Sequence, residues 1–390
     1  MTTHINPSTL TTEAEPETQA QIVSLQTPPK RGVSRRRLLW ARFKANRLGM
    51  IGTLWIVILI FIAVFAEFLA PYGVEEVQRD FKKMPPQRVY FVKEGDWLPT
   101  APFVYGYEKV VNRETFSTTF VEDRSVSYPL RLFVKGMPYK LLGVIPTDVH
   151  LFGAETGGTI FLFGTDSLGY DVFSRVLIAS RVSLLVPLVG MLIAVTLGSI
   201  IGVASGYWGG LPDLFIQRFT EVLMSFPRIP LWLALAAALP ADMPSFNRYL
   251  GVTALLSLIG WAGLCRQIRG KTLALKESEF IMAARVAGSS QRTILLGHLL
   301  PNCISHIIVV TTLTIPGLIL AESSLSFLGV GITPPLVSWG TLLKEAQNVH
   351  ALLSIPWLLA PGAFILITVL AFNLFGDALR DALDPYSKIR

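Results

Sequence analysis

Along the chain, uncharged apolar runs alternate with polar stretches on a scale that suits a bilayer. Residues 48–66 carry no charge and the run continues to Leu69 past Glu67, close to the roughly 20 residues needed to span a membrane. This predicts a first transmembrane helix over 48–70. A cleaved leader would have a shorter apolar region and a small-residue cleavage site, so the helix is expected to be retained. Residues 182–205 and 351–376 give two more long uncharged runs, and 249–265 and 304–320 give two at the short limit. The segment 214–239 is the weakest candidate, because Gln217, Arg218 and Glu221 fall in its first half and Pro227 and Pro230 follow. Turn-rich connections at 206–212 and 240–247 bracket it and argue that it also spans. The pattern therefore predicts an all-α membrane protein with six transmembrane helices.

Two polar parts interrupt the apolar pattern. Residues 1–47 begin Thr-, Glu- and Pro-rich and end in a basic cluster that includes Arg35, Arg36, Arg37, Arg42, Lys44 and Arg47; such a composition reads as a disordered tail. Residues 71–163 contain 11 Lys or Arg against 11 Asp or Glu, with short β-type runs at 88–92 and 130–134. They predict a soluble, β-rich insert after the first helix.

Charge fixes the expected orientation. Arg266, Arg269, Lys271, Lys276, Arg285 and Arg292 crowd the stretch 266–300, whereas the connections near 240–248 and 321–350 hold one cation each, Arg248 and Lys344. By the positive-inside rule the stretch 266–300 and both termini face the cytoplasm, and the long insert lies outside without a vote. Composition adds that 51% of the 390 residues are apolar and only 16% charged, with a net charge of +7. An ordinary soluble domain would have roughly 25% charged residues. Two cysteines, Cys265 and Cys303, exclude a disulfide framework or a four-thiolate zinc site.

Enzyme motifs are absent. Gly270-Lys271-Thr272 has the tail of a phosphate-binding loop, but the glycine such a loop needs five residues earlier is Cys265. His298 and His306 are not spaced as a helical metal pair, and neither a nucleophile elbow nor an H-E-x-x-H helix occurs. No catalytic residue, metal site or cofactor is expected. Within the spans, Arg218 and Glu221 sit at i,i+3 and can pair on one face, either as a structural ion pair or as contacts on a translocation path.

The richest constellation is 276–302. Residues 276–287 read as a short helix, Gly288 as its left-handed stop, and Ser289 or Ser290 as the cap of a helix beginning near Gln291. Ala283, Ala284, Ala287 and Gly288 would let another surface approach the backbone, with Phe280 and Ile281 as apolar anchors. On spacing alone, a docking knob and a helical hairpin lying on the membrane both fit.

This loop resembles the coupling loop of ABC importer permeases, whose pattern is Glu-Ala-Ala, three residues, Gly, and later Leu-Pro. Ala283, Ala284, Gly288, Leu300 and Pro301 match, while Met282 replaces the glutamate and His298 the usual Ile. Three further stretches are similar to the dipeptide and oligopeptide permeases of the second-subunit type: 164–175 with 181–184, 324–340, and 376–385. Tyr170 and Ala179 depart from the usual Arg and Gly. The resemblance implies a permease core over 164–385, a short tail at 386–390, and an ATPase-docking loop formed by Phe280, Ile281, Ala283, Ala284, Gly288, Leu300 and Pro301. It further implies a bacterial inner-membrane importer of peptides or peptide-like solutes that performs no covalent chemistry. Its expected partners are a second permease in a heterodimer, two cytoplasmic ATP-binding subunits, an extracytoplasmic substrate-binding protein and membrane lipid, with no nucleic acid. An ion-coupled secondary transporter and a non-transporting scaffold are the alternatives.

Overall fold

The computed structural model describes residues 35–93, 101–111, 118–155, 157–240 and 242–384. The tail expected at 1–47 lies outside the described residues up to 34, and the tail at 386–390 lies wholly outside them. Residues Arg35–Ala45, expected to be disordered, instead form a helix, α1. Apolar residues within the basic run explain the difference: Phe43 is buried against Ala378 and Ala382 near the end of the chain. Asn46 then caps α2, Arg47–Val64, by accepting a hydrogen bond from the Gly49 amide.

Among the described residues, five helices are long and apolar enough to cross a membrane. They are α2; α3, Val172–Trp208; α6, Ser245–Leu275; α8, Gln291–Phe327; and α11, which with its leading turn covers Pro356–Leu383. The runs at 249–265 and 304–320 are thus the middles of much longer helices. The expected third span is not continuous. It consists of α4, Gly210–Ser225, and α5, Arg228–Ala237, separated at Phe226-Pro227. Pro227 disfavours the helical region for Phe226, whose ψ is 139°, and Pro230 lacks the N–H that would continue the ladder. Between α6 and α8 lies α7, Glu279–Val286. Beyond α8 come two short helices, α9, Trp339–Leu343, and α10, Val349–Ser354.

Glycines set the tightest helix contacts. On α3, Gly198, Gly202 and Gly206 recur every four residues and face α6, where a Cβ would stand 2.8 Å from the Trp261 carbonyl, 2.6 Å from that of Cys265 and 2.8 Å from Thr272 Cβ. Small residues at this spacing let two membrane helices pack backbone to backbone. Gly49 and Gly52 do the same for α2 against Ala378 and Ala371 of α11. At the opposite end of α2, the Arg181 guanidinium donates to both oxygens of Glu67, at 2.5 and 2.6 Å, joining α2 to α3.

The insert holds a three-stranded antiparallel sheet, β1 Phe103–Val111, β2 Thr118–Leu141 and β3 Ile145–Ala154, in sequential order. The run 130–134 lies in β2, but 88–92 contributes only an isolated bridge between Tyr90 and Phe103. His150 of β3 anchors the sheet to the end of the first span. Its Nδ1 lies 2.6 Å from the Ala70 carbonyl and its Nε2 3.1 Å from that of Met137.

Candidate functional site

The bundle has two chemically different ends, one beside the sheet and one formed by the 276–302 loop. At the insert end, the motif residues are consumed by internal bonds. Asp166 Oδ1 accepts the backbone N–H groups of Leu168, Gly169 and Tyr170, each at 2.9 Å. Its Oδ2 accepts from Arg175 at 2.8 Å, whose guanidinium lies 4.4 Å over the Tyr170 ring. Tyr170, the departure from the usual arginine, therefore stacks on a nearby cation. Asp171 caps α3 through the Ser174 amide at 2.8 Å, and burial pushes its carboxyl up to about 7 against the pull of those bonds. Trp339 is fully buried; its indole N–H donates to the Val176 carbonyl and its backbone N–H to Ser183. Gly340 fits because its missing side chain would strike the Ser323 backbone.

At the loop end the local geometry follows the sequence closely. The Ala287 amide returns to the Ala283 carbonyl and the Ser289 amide to that of Ala284, and Gly288 adopts φ +75°. That left-handed turn favours glycine. Ser290 caps α8 by accepting from the Thr293 amide at 3.2 Å. Six residues of α8, Ile294–Leu299, then form a π turn. Pro301 accounts for it, since it has no N–H for the Gly297 carbonyl and its ring would clash there in a regular helix.

The expected loop residues divide into two sets. Ile281, anticipated as an exposed anchor, is instead wholly buried among Val203, Leu264, Ile268, Ile294, Leu299 and Cys303. It pins α7 to the bundle, because adjacent helix positions point about 100° apart, so Ile281 turns inward where Phe280 turns outward. Ala284 and Leu300 are half-buried. Phe280, Ala283, Gly288 and Pro301 are exposed, joined by Met282 at 49% and Val286 at 90%. The side chain at the usual glutamate position thus points outward as an uncharged thioether, and Val286 is an exposed apolar contact that spacing alone did not single out.

Sequence reasoning also missed a clamp beneath the loop. Arg269 of α6 donates through Nε and Nη2 to the two carboxylate oxygens of Asp213, both at 2.6 Å. Ser205 of α3 donates to Asp213 as well, and Gln217 to Ser205 at 3.0 Å. An acid three residues after Gly209-Gly210, at the start of an apolar segment, was the available signal. Arg218 and Glu221 do pair, at 2.8 Å, but on an exposed face of α4.

Two comparisons bear on what this arrangement serves. Residues 194–388 match the binding-protein-dependent transport system inner membrane component, and residues 34–86 match the N-terminal TM domain of oligopeptide transport permease C. The chain belongs to this family. It is a multi-pass membrane permease of the ABC importer class. It is 44% identical to the oligopeptide transport system permease protein OppC of Haemophilus influenzae, over 61% of this chain and 75% of that one. It is 37% identical to OppC of Bacillus subtilis, over 57% and 71% respectively. With the glutathione transport system permease protein GsiD of Escherichia coli it shares 32% identity over 90% of both chains. The two family matches leave the β strands of the insert unclaimed between them, while the 276–302 loop and the Asp213–Arg269 clamp both fall inside 194–388.

Proposed function

We propose that this permease carries peptides or peptide-like solutes across a bacterial inner membrane, driven by ATP hydrolysed in separate subunits. The observation that supports this most is the exposed apolar face of α7, held on a buried Ile281 and closed by Gly288. An uncovered surface of this kind at a charged, water-facing end fits a docking site for another protein. The printed names of the relatives supply the solute class. The docking residues are then Phe280, Ala283, Ala284, Gly288, Leu300 and Pro301, with Ile281 as their internal support. Met282 and Val286 join them, so that the ATPase contact is apolar where relatives place a carboxylate.

In this reading α4 and α5 together form a sixth, broken span, which completes the permease core over 164–385. The loop 266–300 and both termini face the cytoplasm, and the 71–163 insert faces outward, positioned to rest on a substrate-binding protein or a second permease. Two such permeases enclose the path, two ATP-binding subunits grip their loops, and closure of the ATPases rocks the bundles between outward and inward access. Arg218 and Glu221 are assigned to the α4 surface toward lipid or the second permease. The decisive assay is ATP-dependent uptake of a labelled oligopeptide by vesicles containing the full set of co-expressed subunits. Uptake that needs both the ATPases and an intact α7 agrees with the proposal; uptake without ATPase subunits favours an ion-coupled transporter.

A further inference from the structure

The break between α4 and α5 places a cation where membrane proteins rarely leave one. Arg228, the first residue of α5, lines a cavity of about 150 Å³ together with Gln267, Thr311 and Thr314. The cavity is at the mid-height of the bundle: its walls include Met191 near the middle of α3 and Val310 near the middle of α8. Gly263 of α6 makes room for the side chain, since a Cβ there would stand 3.6 Å from a guanidinium nitrogen. Among the described residues no carboxylate or carbonyl pairs with Arg228. Arg228 is exposed on this chain rather than buried in it, and an unpaired cation along a membrane-spanning bundle marks a substrate or ion path unless something neutralises it.

Other groups around the cavity are also unspent. The Thr311 hydroxyl is shut off from solvent and lacks a hydrogen-bond partner, although its neighbours Thr312 and Thr314 each bond the carbonyl four residues back. The N-terminus of α5 has no side-chain cap, so its first amides and its dipole add positive potential at the same place. Gln267 and Val310 line both this cavity and a second one of about 620 Å³ that reaches the loop end. Lys271 and Arg380 line the second cavity against a single carboxylate, Asp384. A guanidinium, a donor-capable hydroxyl and an amide thus lead into a basic vestibule.

We propose that Arg228 receives the carboxylate of the transported solute within the bundle and hands it to the basic vestibule for release. This rests on the importer reading above. A lipid phosphate is not the ligand, because headgroups lie about 15 Å from the midplane. Arg228 acts by binding, as a charged fork that matches a carboxylate, and selects solutes by the group every free peptide carries at one end.

The test uses the complete transporter in inside-out vesicles bearing Gln267→Cys, an exposed position that lines both cavities; the two native cysteines are buried. Labelling rates are compared for the negatively charged sulfonatoethyl and positively charged trimethylammonioethyl methanethiosulfonates, each normalised to its rate with a free thiol. The proposal predicts a preference for the anionic reagent of about tenfold, abolished by adding Arg228→Gln. No such preference, as when a carboxylate of the second permease already neutralises Arg228, would overturn it, as would a preference that Arg228→Gln leaves in place. In a parallel assay, ATP-driven uptake of trialanine should fall about tenfold in Arg228→Gln at equal membrane abundance and largely recover in Arg228→Lys. Undiminished uptake in Arg228→Gln would also overturn the assignment. If the unaltered complex takes up no trialanine, the peptide-importer reading fails, and the labelling ratio still decides whether the site attracts anions.

Discussion

The two ends of the bundle use their motif residues in opposite ways. At the insert end, Asp166, Arg175, Trp339 and Gly340 are engaged in internal hydrogen bonds and close packing, although Arg175 Nε is buried without a partner. At the loop end, Ile281 alone is spent inward, while Phe280, Met282 and Val286 remain uncovered. Residues of similar type therefore hold the fold at one end and leave a contact available at the other. Burial and hydrogen-bond accounting separate the two roles where motif matching alone does not.

The contrast can be broken deliberately. The largest effect is expected from Gly202→Leu, because even a Cβ would stand 2.6 Å from the Cys265 carbonyl. Overpacking a backbone contact should cost more than about 3 kcal/mol, and immunoblots should find little of the variant in the membrane. Next comes Gly288→Val. A β-branched residue in the left-handed region costs about 1–2 kcal/mol, here in an exposed loop with open space around it. Membrane abundance should stay normal while ATP-driven uptake is lost; uptake at the wild-type rate would show that α7 needs no fixed geometry.

A smaller effect should follow from opening the clamp. Arg269→Ala leaves the Asp213 carboxylate, buried and still held by Ser205, without its main partner, at a cost of about 2–3 kcal/mol. Thermal unfolding in detergent should record it, and a double-mutant cycle with Asp213→Ala should give a coupling of about 1–3 kcal/mol. Independent, additive losses would mean that the pair does not hold α3, α4 and α6 together. The smallest effect belongs to Arg218→Ala, since both partners of that ion pair are largely exposed. It should change stability by no more than about 0.5 kcal/mol and uptake hardly at all. A collapse of uptake would return this pair to the translocation path.

Much of the loop was legible in the sequence because its signals are local: a left-handed glycine and a serine cap each dictate their own backbone. The apolar runs likewise revealed five spans through composition alone. The break at Phe226-Pro227 was harder to read, since two prolines in an apolar run fit either a kinked helix or two helices. Ile281 was misplaced because periodicity says which residues share a face but not which face meets the bundle. The Asp213–Arg269 clamp joins residues far apart in the chain, and no local pattern reports such a pairing. The helix at Arg35–Ala45 depends in the same way on Phe43 meeting the last helix.

The central claim is that α7 is the surface on which an ATP-binding subunit sits, and Val286 is its most exposed apolar residue. Val286→Cys in the complete, transport-competent complex provides the direct measurement, with a short thiol-to-thiol crosslinker and a series of single cysteines on the co-expressed ATPase subunit. The account predicts a crosslinked permease–ATPase band at one or more of those positions, lost when Gly288→Val is added. A complex that still imports solute but yields no such band at any position would contradict it.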